Sequence, residues 1–259
     1  MLQYLAILFA ISLGLQIFVF SIAVIRQTDK LTDIAYGTGF IALAFIALLY
    51  EGSWNTNAII SVILVTLWAL RISIYLFVRI LTMGRDKRFD GIREKTLSFL
   101  KFFILQGVAI WVISLPTLLL IYLNHPVKAT IHLAQVMGIV IFLLGIAIET
   151  IADYQKYMFK INTNNDKWIQ TGLWKYSRHP NYFGEILVWW GIFTYSVGIT
   201  TEYWWISLLS PLCITILLLF VSGIPPLEKR HNEKYGENKD YEDYKHSTRL
   251  LIPIPKLSK

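Results

Sequence analysis

The sequence predicts an all-α, polytopic membrane protein with about seven transmembrane helices, its N-terminus outside and its C-terminus in the cytoplasm. Three observations carry this expectation. Apolar runs close to the roughly 20 residues that cross a hydrocarbon core recur along the chain. Only 16% of the 259 residues are charged. Lys and Arg gather in alternate connections, which orients the helices because cytoplasmic loops keep the positive charge.

Spans are read near 3–25, 34–50, 57–82, 100–123, 130–155, 182–199 and 203–222. The first lacks the basic start and the small-residue cleavage site of a signal peptide, so it reads as a retained anchor. Arg26 and Lys30 follow it. The second and sixth are short. Arg85, Lys87, Arg88, Arg93, Lys95 and Lys101 follow the third, and Lys156, Lys160, Lys167, Lys175 and Arg178 follow the fifth. Residues from Lys229 to the end follow the seventh, whereas the opposite connections hold only Lys128. The whole of 1–259 reads as one integral membrane domain, with 225–259 a cytoplasmic tail. Pro225 and Pro226 end the last span. Residues 227–246 read as one or two short helices broken near Gly236, and Leu250, Leu251 and Ile252 as resting on the bilayer surface.

Several functions are not expected. The net charge of +7 is mostly topological bias, and no basic stripe is interleaved with exposed aromatics as in a nucleic-acid binder. The lone Cys213 allows no intrachain disulfide. The five histidines are scattered, without metal-ligand spacing. Gly37 and Gly39 read as permitting close helix packing.

Residues 172–185, GLWKYSRHPNYFGE, hold the densest chemistry. Pro180 suits the first turn of a helix. Ser177, Arg178 and His179 then stand at a helix N-terminus, where free N–H groups and cationic side chains favour an anion. Asn181 and Glu185 share a face one turn deeper. A carboxylate in a membrane helix is costly and usually has a job. Glu149, Asp153, Lys156 and Lys160 close span five on a similar face. They read either as an interfacial ion-pair ladder or as a polar wall, with Asp153 holding an amide or ribose hydroxyl and Lys160 a phosphate. Asp33, with Tyr36 one turn on, reads either as a helix N-cap or as an acid that polarises a carbonyl at the mouth of a lipid pocket. His231, near Glu228 and Tyr235, is the histidine best placed to touch a ligand.

The segments GLWKYSRHPNYFGE, SGIPPLEKR and YEDYKHSTRLLIP resemble the steroid 5-alpha-reductase-like membrane family, most of all its bacterial branch of unknown specificity. The likeness spans about residues 140–259, with weaker echoes in TDIAYGTGF and LWALRISIYLFVR. It implies a seven-helix fold that binds NADPH at its C-terminal helices, loops and tail, and passes a hydride to an activated C=C bond of a lipid-soluble, steroid-like or isoprenoid substrate. It places the site on the cytoplasmic side of the membrane. It implies cofactor contacts at Asp153, Lys160, Tyr176, Ser177, Arg178, His179, Asn181, Tyr182, Glu185, Glu228, His231 and Tyr235. Asn181 and Glu185 would hold the nicotinamide end, and Arg178 would lie by the phosphates. Asp33 and Tyr36 would be the catalytic pair. Trp68 stands where the steroid enzymes carry a Tyr. Isoprenylcysteine carboxyl methyltransferases share the fold and an R-H-P-x-Y-x-G segment but bind S-adenosylmethionine. They usually lack the acid found here at Glu185, which favours the reductase. A non-catalytic lipid-binding protein of the same fold is the third reading.

Overall fold

A computed structural model describes residues 1–28, 30–83, 91, 95–123, 132–163, 167–199 and 202–256. Arg85, Lys87, Arg88, Arg93 and Lys128, on which part of the orientation argument rests, lie outside the described residues. Every regular element among the described residues is helical: α1 (Leu2–Ile25), α2 (Lys30–Glu51), α3 (Thr56–Met83), α4 (Thr96–Tyr122), α5 (Leu133–Asn162), α6 (Pro180–Val197), α7 (Trp204–Ser207), α8 (Leu209–Ile216), a π-helix (Leu217–Val221), α9 (Ile224–Tyr235) and α10 (Lys239–Ser247), with a 3-10 turn at Gly172–Lys175. Among the described residues six stretches are long and apolar enough to cross a membrane: α1, α2, most of α3, α4, α5 and the run from Trp204 to Tyr235. This is an integral membrane protein. Helix α6 forms where a span was expected but is not among the six. It has 18 residues and spends its first two turns on Pro180, Asn181 and Glu185.

Several boundaries differ from the sequence reading for local reasons. Helix α2 starts at Lys30, whose N–H donates to Thr28 Oγ1 at 3.2 Å. Asp33 therefore sits inside the first turn rather than capping it. Helix α5 runs to Asn162, so the polar residues after Ile151 continue the helix instead of ending it. The last apolar run is broken rather than one rod. Pro211 offers no N–H to the carbonyl of Ser207, where α7 ends. The π-helix that follows has Ser222 N–H donating to Leu217 O at 2.8 Å, and Gly223 bends the chain where a Cβ would strike the Leu218 backbone. The prolines do not stop a helix but start one, in the first turn of α9. Among these elements the apolar crossing stretch ends at the π-helix, because α9 carries Glu228, Lys229, Arg230, Glu233 and Lys234.

The chain forms two compact units, Met1–Gly138 with Ile192–Ser210, and Ile139–Gly191 with Pro211–Lys259. In the first unit α1 to α4 pack on one another. Lipid tails are as apolar as leucine, so polar side chains and small residues hold such helices together. Ser12 Oγ donates to Gly107 O at 2.8 Å, Gln16 Nε2 to Ala35 O at 3.1 Å, Gln106 Nε2 to Thr32 O at 3.0 Å and Ser61 Oγ to Thr117 Oγ1 at 2.8 Å. Gln16 and Gln106 thus both seize carbonyls in the first half of α2. Gly37 packs α2 against α3, and a Cβ there would lie 2.8 Å from the Ala69 carbonyl oxygen.

In the second unit Gly145 of α5 and Gly184 of α6 bring two backbones together. A Cβ on Gly145 would stand 2.7 Å from Gly184 O, and one on Gly184 would stand 2.6 Å from Glu149 N. Those neighbours are backbone atoms and cannot swing away. Gly184→Ala should therefore destabilise the protein by about 1–3 kcal/mol, the usual cost of overpacking. Gly14 lies in α1 with nothing within 4 Å of its would-be Cβ. Gly14→Ala should be neutral or slightly stabilising, by about 0.5–1 kcal/mol. Melting of both variants in detergent checks this, and equal effects would mean that the α5–α6 contact tolerates a methyl group.

Candidate functional site

The RHP segment is built from α5 outward. Gly172 has φ +60° and packs on the Gln155 side-chain amide, where a Cβ would clash. That left-handed turn suits glycine. It lets Gln155 Oε1 accept the Leu173 N–H at 3.0 Å, while Trp174 Nε1 donates to Ala152 O at 3.0 Å. Lys156 Nζ lies 4.7 Å from the centre of the Trp174 ring. The 3-10 turn is thereby pinned to α5, and Pro180 opens α6 as expected.

Between these two helices the chain pairs with its own tail. Ser177 and Arg249 form an isolated parallel bridge, with Arg178 N–H donating to Arg249 O at 2.9 Å and Arg249 N–H to Tyr176 O at 3.2 Å. Ser177 Oγ is fully buried; it accepts the His179 N–H at 3.1 Å and donates to Leu251 O at 2.7 Å. Tyr244 OH donates to Trp174 O at 2.8 Å.

One carboxylate oxygen joins the two ends. Glu228 Oε1, on α9, accepts from Arg178 Nε at 3.2 Å and meets His179 Nε2 at 2.9 Å. Arg178 Nη1 also donates to Lys245 O at 3.0 Å and Thr248 O at 3.3 Å, which places its positive charge at the C-terminal end of α10. Burial works to raise the Glu228 pKa, but the His179 hydrogen bond and the Arg178 charge outweigh it and hold the carboxyl at about 2. Burial, opposed by Glu228, lowers the pKa of His179. An ionised Glu228 can only accept, so a neutral His179 carries its proton on Nε2 and donates it. Its ring stacks on Tyr182, with centres 5.7 Å apart.

The other candidates are placed as follows. Asp153 and Glu185 are buried on α5 and α6, Asn181 is half-buried and Lys160 is exposed. Burial, then the charges of Lys156 and Lys160, drive the His231 pKa down to about 4, so these two lysines and His231 share one neighbourhood. The ring of Tyr235 packs on His231, and its hydroxyl donates to Lys167 O at 3.3 Å. Tyr176 is partly exposed and joins the cluster through its backbone. Asp33 and Tyr36 belong to the other unit. There Asp33 pairs with Arg79 at 3.4 Å, and the Tyr36 ring meets Phe40 and Trp68 edge-on. Sequence reasoning missed Lys245, Thr248 and Arg249, and the gathering of Tyr235 with Trp168, Tyr241 and Tyr244 into one aromatic cluster. Lys245, Thr248 and Arg249 all accept from Arg178 through main-chain carbonyls, which leave no mark in side-chain identity. The tyrosine spacing of the tail was the available signal for the cluster.

Glu228→Gln should loosen the tail, costing about 1.5–3 kcal/mol, the usual worth of hydrogen bonds to a charged group. The measurement is trypsin cleavage after Lys229, Arg230 and Lys234, which should accelerate. The folded carboxyl titrates below its unfolded value of about 4.3. Its stabilisation is therefore complete above that value and is lost as pH falls through about 2. The wild-type advantage should hold from pH 7 to pH 5 and shrink below pH 4. Equal cleavage rates at pH 7 would mean that the clasp does not hold the tail.

No curated protein and no solved structure matches the chain. A family described as a protein of unknown function (DUF1295) matches residues 19–248, and it takes in both the α2–α4 helices and the clasped segments Gly172–Glu185 and Glu228–Thr248. The chain therefore belongs to that family, a steroid 5-alpha-reductase-like one.

Proposed function

We propose that this protein is a membrane reductase that uses NADPH to saturate an activated C=C bond in a steroid-like or isoprenoid lipid. One observation carries the reading: every residue singled out for the cofactor falls in one compact unit, and the catalytic candidates Asp33 and Tyr36 fall in the other. A phosphate-bearing cofactor suits the first unit. Lys156, Lys160 and Arg178 lie near two histidines that burial keeps neutral, so the neighbourhood is rich in cationic side chains. Buried Asp153 and Glu185, with Asn181, offer acceptors and an amide for ribose hydroxyls and a carboxamide. Bound NADPH would supply the hydride. Lys156 and Lys160 would face its phosphates, Glu185 and Asn181 would orient its carboxamide, and Arg178, through Glu228, would keep the tail closed against water. In the other unit Tyr36 would donate a hydrogen bond to a carbonyl oxygen, with Asp33 and Arg79 as the nearby charges.

In this reading seven helices cross, α6 included, and the tail lies in the cytoplasm with the cofactor. With Cys213 replaced by Ala, a Cys at Asn238 should resist an impermeant reagent on intact cells and react once the membrane is opened. Labelling of intact cells would reverse the orientation.

The deciding experiment is a calorimetric titration of purified protein with NADPH, NADH and S-adenosylmethionine. NADPH should bind best. Glu185→Gln and Asn181→Ala should each weaken it roughly tenfold or more, as expected for the loss of hydrogen bonds worth about 1.5–3 kcal/mol. Tight S-adenosylmethionine binding without NADPH binding would replace the reductase with a methyltransferase. Binding should also take up protons. Phosphate charge beside His231 favours its cationic form, so its pKa rises from about 4 and affinity grows as pH falls toward that value. Titration in buffers of different ionisation enthalpy reads this directly. An absence of proton uptake would place the phosphates away from His231.

A further inference from the structure

Beyond the clasp, the tail presents a surface that neither the fold nor the proposed reaction uses. After α10 the chain bends repeatedly, with Ile254 N–H donating to Ile252 O at 2.9 Å and φ fixed at Pro253 and Pro255. Leu250, Ile252 and Ile254 alternate with Leu251 and Pro253, and they are 41%, 45% and 47% exposed. Three large aliphatic side chains are thus exposed within five residues of the tail. Beside them opens a cleft of about 480 Å³, lined by Arg178, Lys245, Arg249 and Lys256 and by Leu250 and Ile252 among others. No acidic residue lines it among the described residues.

The charge in this cleft is only partly compensated. Arg178 has Glu228. The two lysines have neutral partners: Lys245 Nζ donates to Asn232 Oδ1 at 2.8 Å, and Lys256 Nζ donates to the His246 carbonyl. Arg249 is tied down through its backbone, while its Nε is buried without a hydrogen-bond partner. No carboxylate is shown against the Arg249 guanidinium among the described residues, so its positive charge remains to attract an anion in the cleft. A cationic concavity flanked by exposed aliphatics fits a surface with the same two layers, anionic phosphates above acyl chains. The bilayer is also close at hand, because α9 begins only three residues after the π-helix that ends the last apolar stretch.

We propose that this cleft takes the phosphate of an anionic lipid headgroup while Leu250, Ile252 and Ile254 enter the acyl boundary, so that the tail lies on the membrane. The inference stands apart from the reductase reading. A lipid site needs no cofactor, and NADPH binding can fail without touching it. Arg249 is its centre, because it alone of the four cations shows no side-chain hydrogen bond among the described residues.

The test is native mass spectrometry of the full chain in detergent, with phosphatidylglycerol or phosphatidylcholine of matched short chains added. Phosphatidylglycerol should be retained at least about fivefold better. The preference should fall as salt rises, since exposed charge is screened. Arg249→Gln should abolish the preference, and Lys256→Gln, at an exposed position, should reduce it without threatening the fold. Lys229→Gln, on an exposed lysine of α9 outside the cleft, should leave it intact. Equal retention of the two lipids, or a preference that survives both Arg249→Gln and Lys256→Gln, would overturn the proposal. Displacement of phosphatidylglycerol by inorganic phosphate would assign the cleft to a free anion, and displacement by NADPH would assign it to the cofactor. Either result would equally overturn the lipid site.

Discussion

Glu228 places one oxygen between Arg178 and His179, and the arrangement of the C-terminal unit follows from that shared acceptor. The residues come from distant points of the chain, 49 and 50 positions apart. Once Arg178 is held there, its remaining donors reach the last carbonyls of α10. That fixes Arg249 beside Ser177 and sends the end of the chain across the RHP segment. The interaction is strong for a physical reason. Each oxygen and nitrogen is largely withdrawn from water, the acceptor is fully charged, and a single carboxylate serves two donors of different character. Removing the acid would leave the guanidinium with only its two carbonyl partners and the histidine ring without this acceptor.

The two units are held together internally by different means. In the first, amide and hydroxyl side chains reach across to backbone carbonyls of neighbouring helices, and glycine and small residues let the helices approach. Hydrophobic burial gives little preference for one neighbour over another when the solvent is itself a hydrocarbon, so these few polar contacts fix which helices meet and in what register. In the second, aromatic rings do more of the work. Trp174 is clamped between α5 and the tail, and Trp168 gathers Tyr235, Tyr241 and Tyr244. Burial pushes the Tyr241 hydroxyl up to about 12, which keeps it neutral.

Much of this was legible in the sequence. Hydropathy located the long helices because crossing a membrane demands an unbroken apolar run. Pro180 announced α6 because its ring is pre-set for a first turn, and Gly236 marked the break between α9 and α10. Gly37 was read as a packing residue, and the backbone it meets in α3 bears that out. The sequence also singled out Arg178, His179 and Glu228 as members of one site.

What it could not decide was how those members divide their work. Arg178 was expected to lie beside phosphates. In the folded chain its guanidinium holds Glu228 and two tail carbonyls, a task set by residues some 50 to 70 positions away. Asp33 read either as a cap or as a carbonyl-polarising acid; Thr28 caps Lys30 instead, and Asp33 pairs with Arg79. The last apolar run looked like one helix, yet Pro211 and Gly223 break and bend it. A sequence carries composition and local geometry, which are enough to set the helices and their ends. Pairing between distant side chains depends on which surfaces meet after those helices pack, and only the tertiary structure decides that.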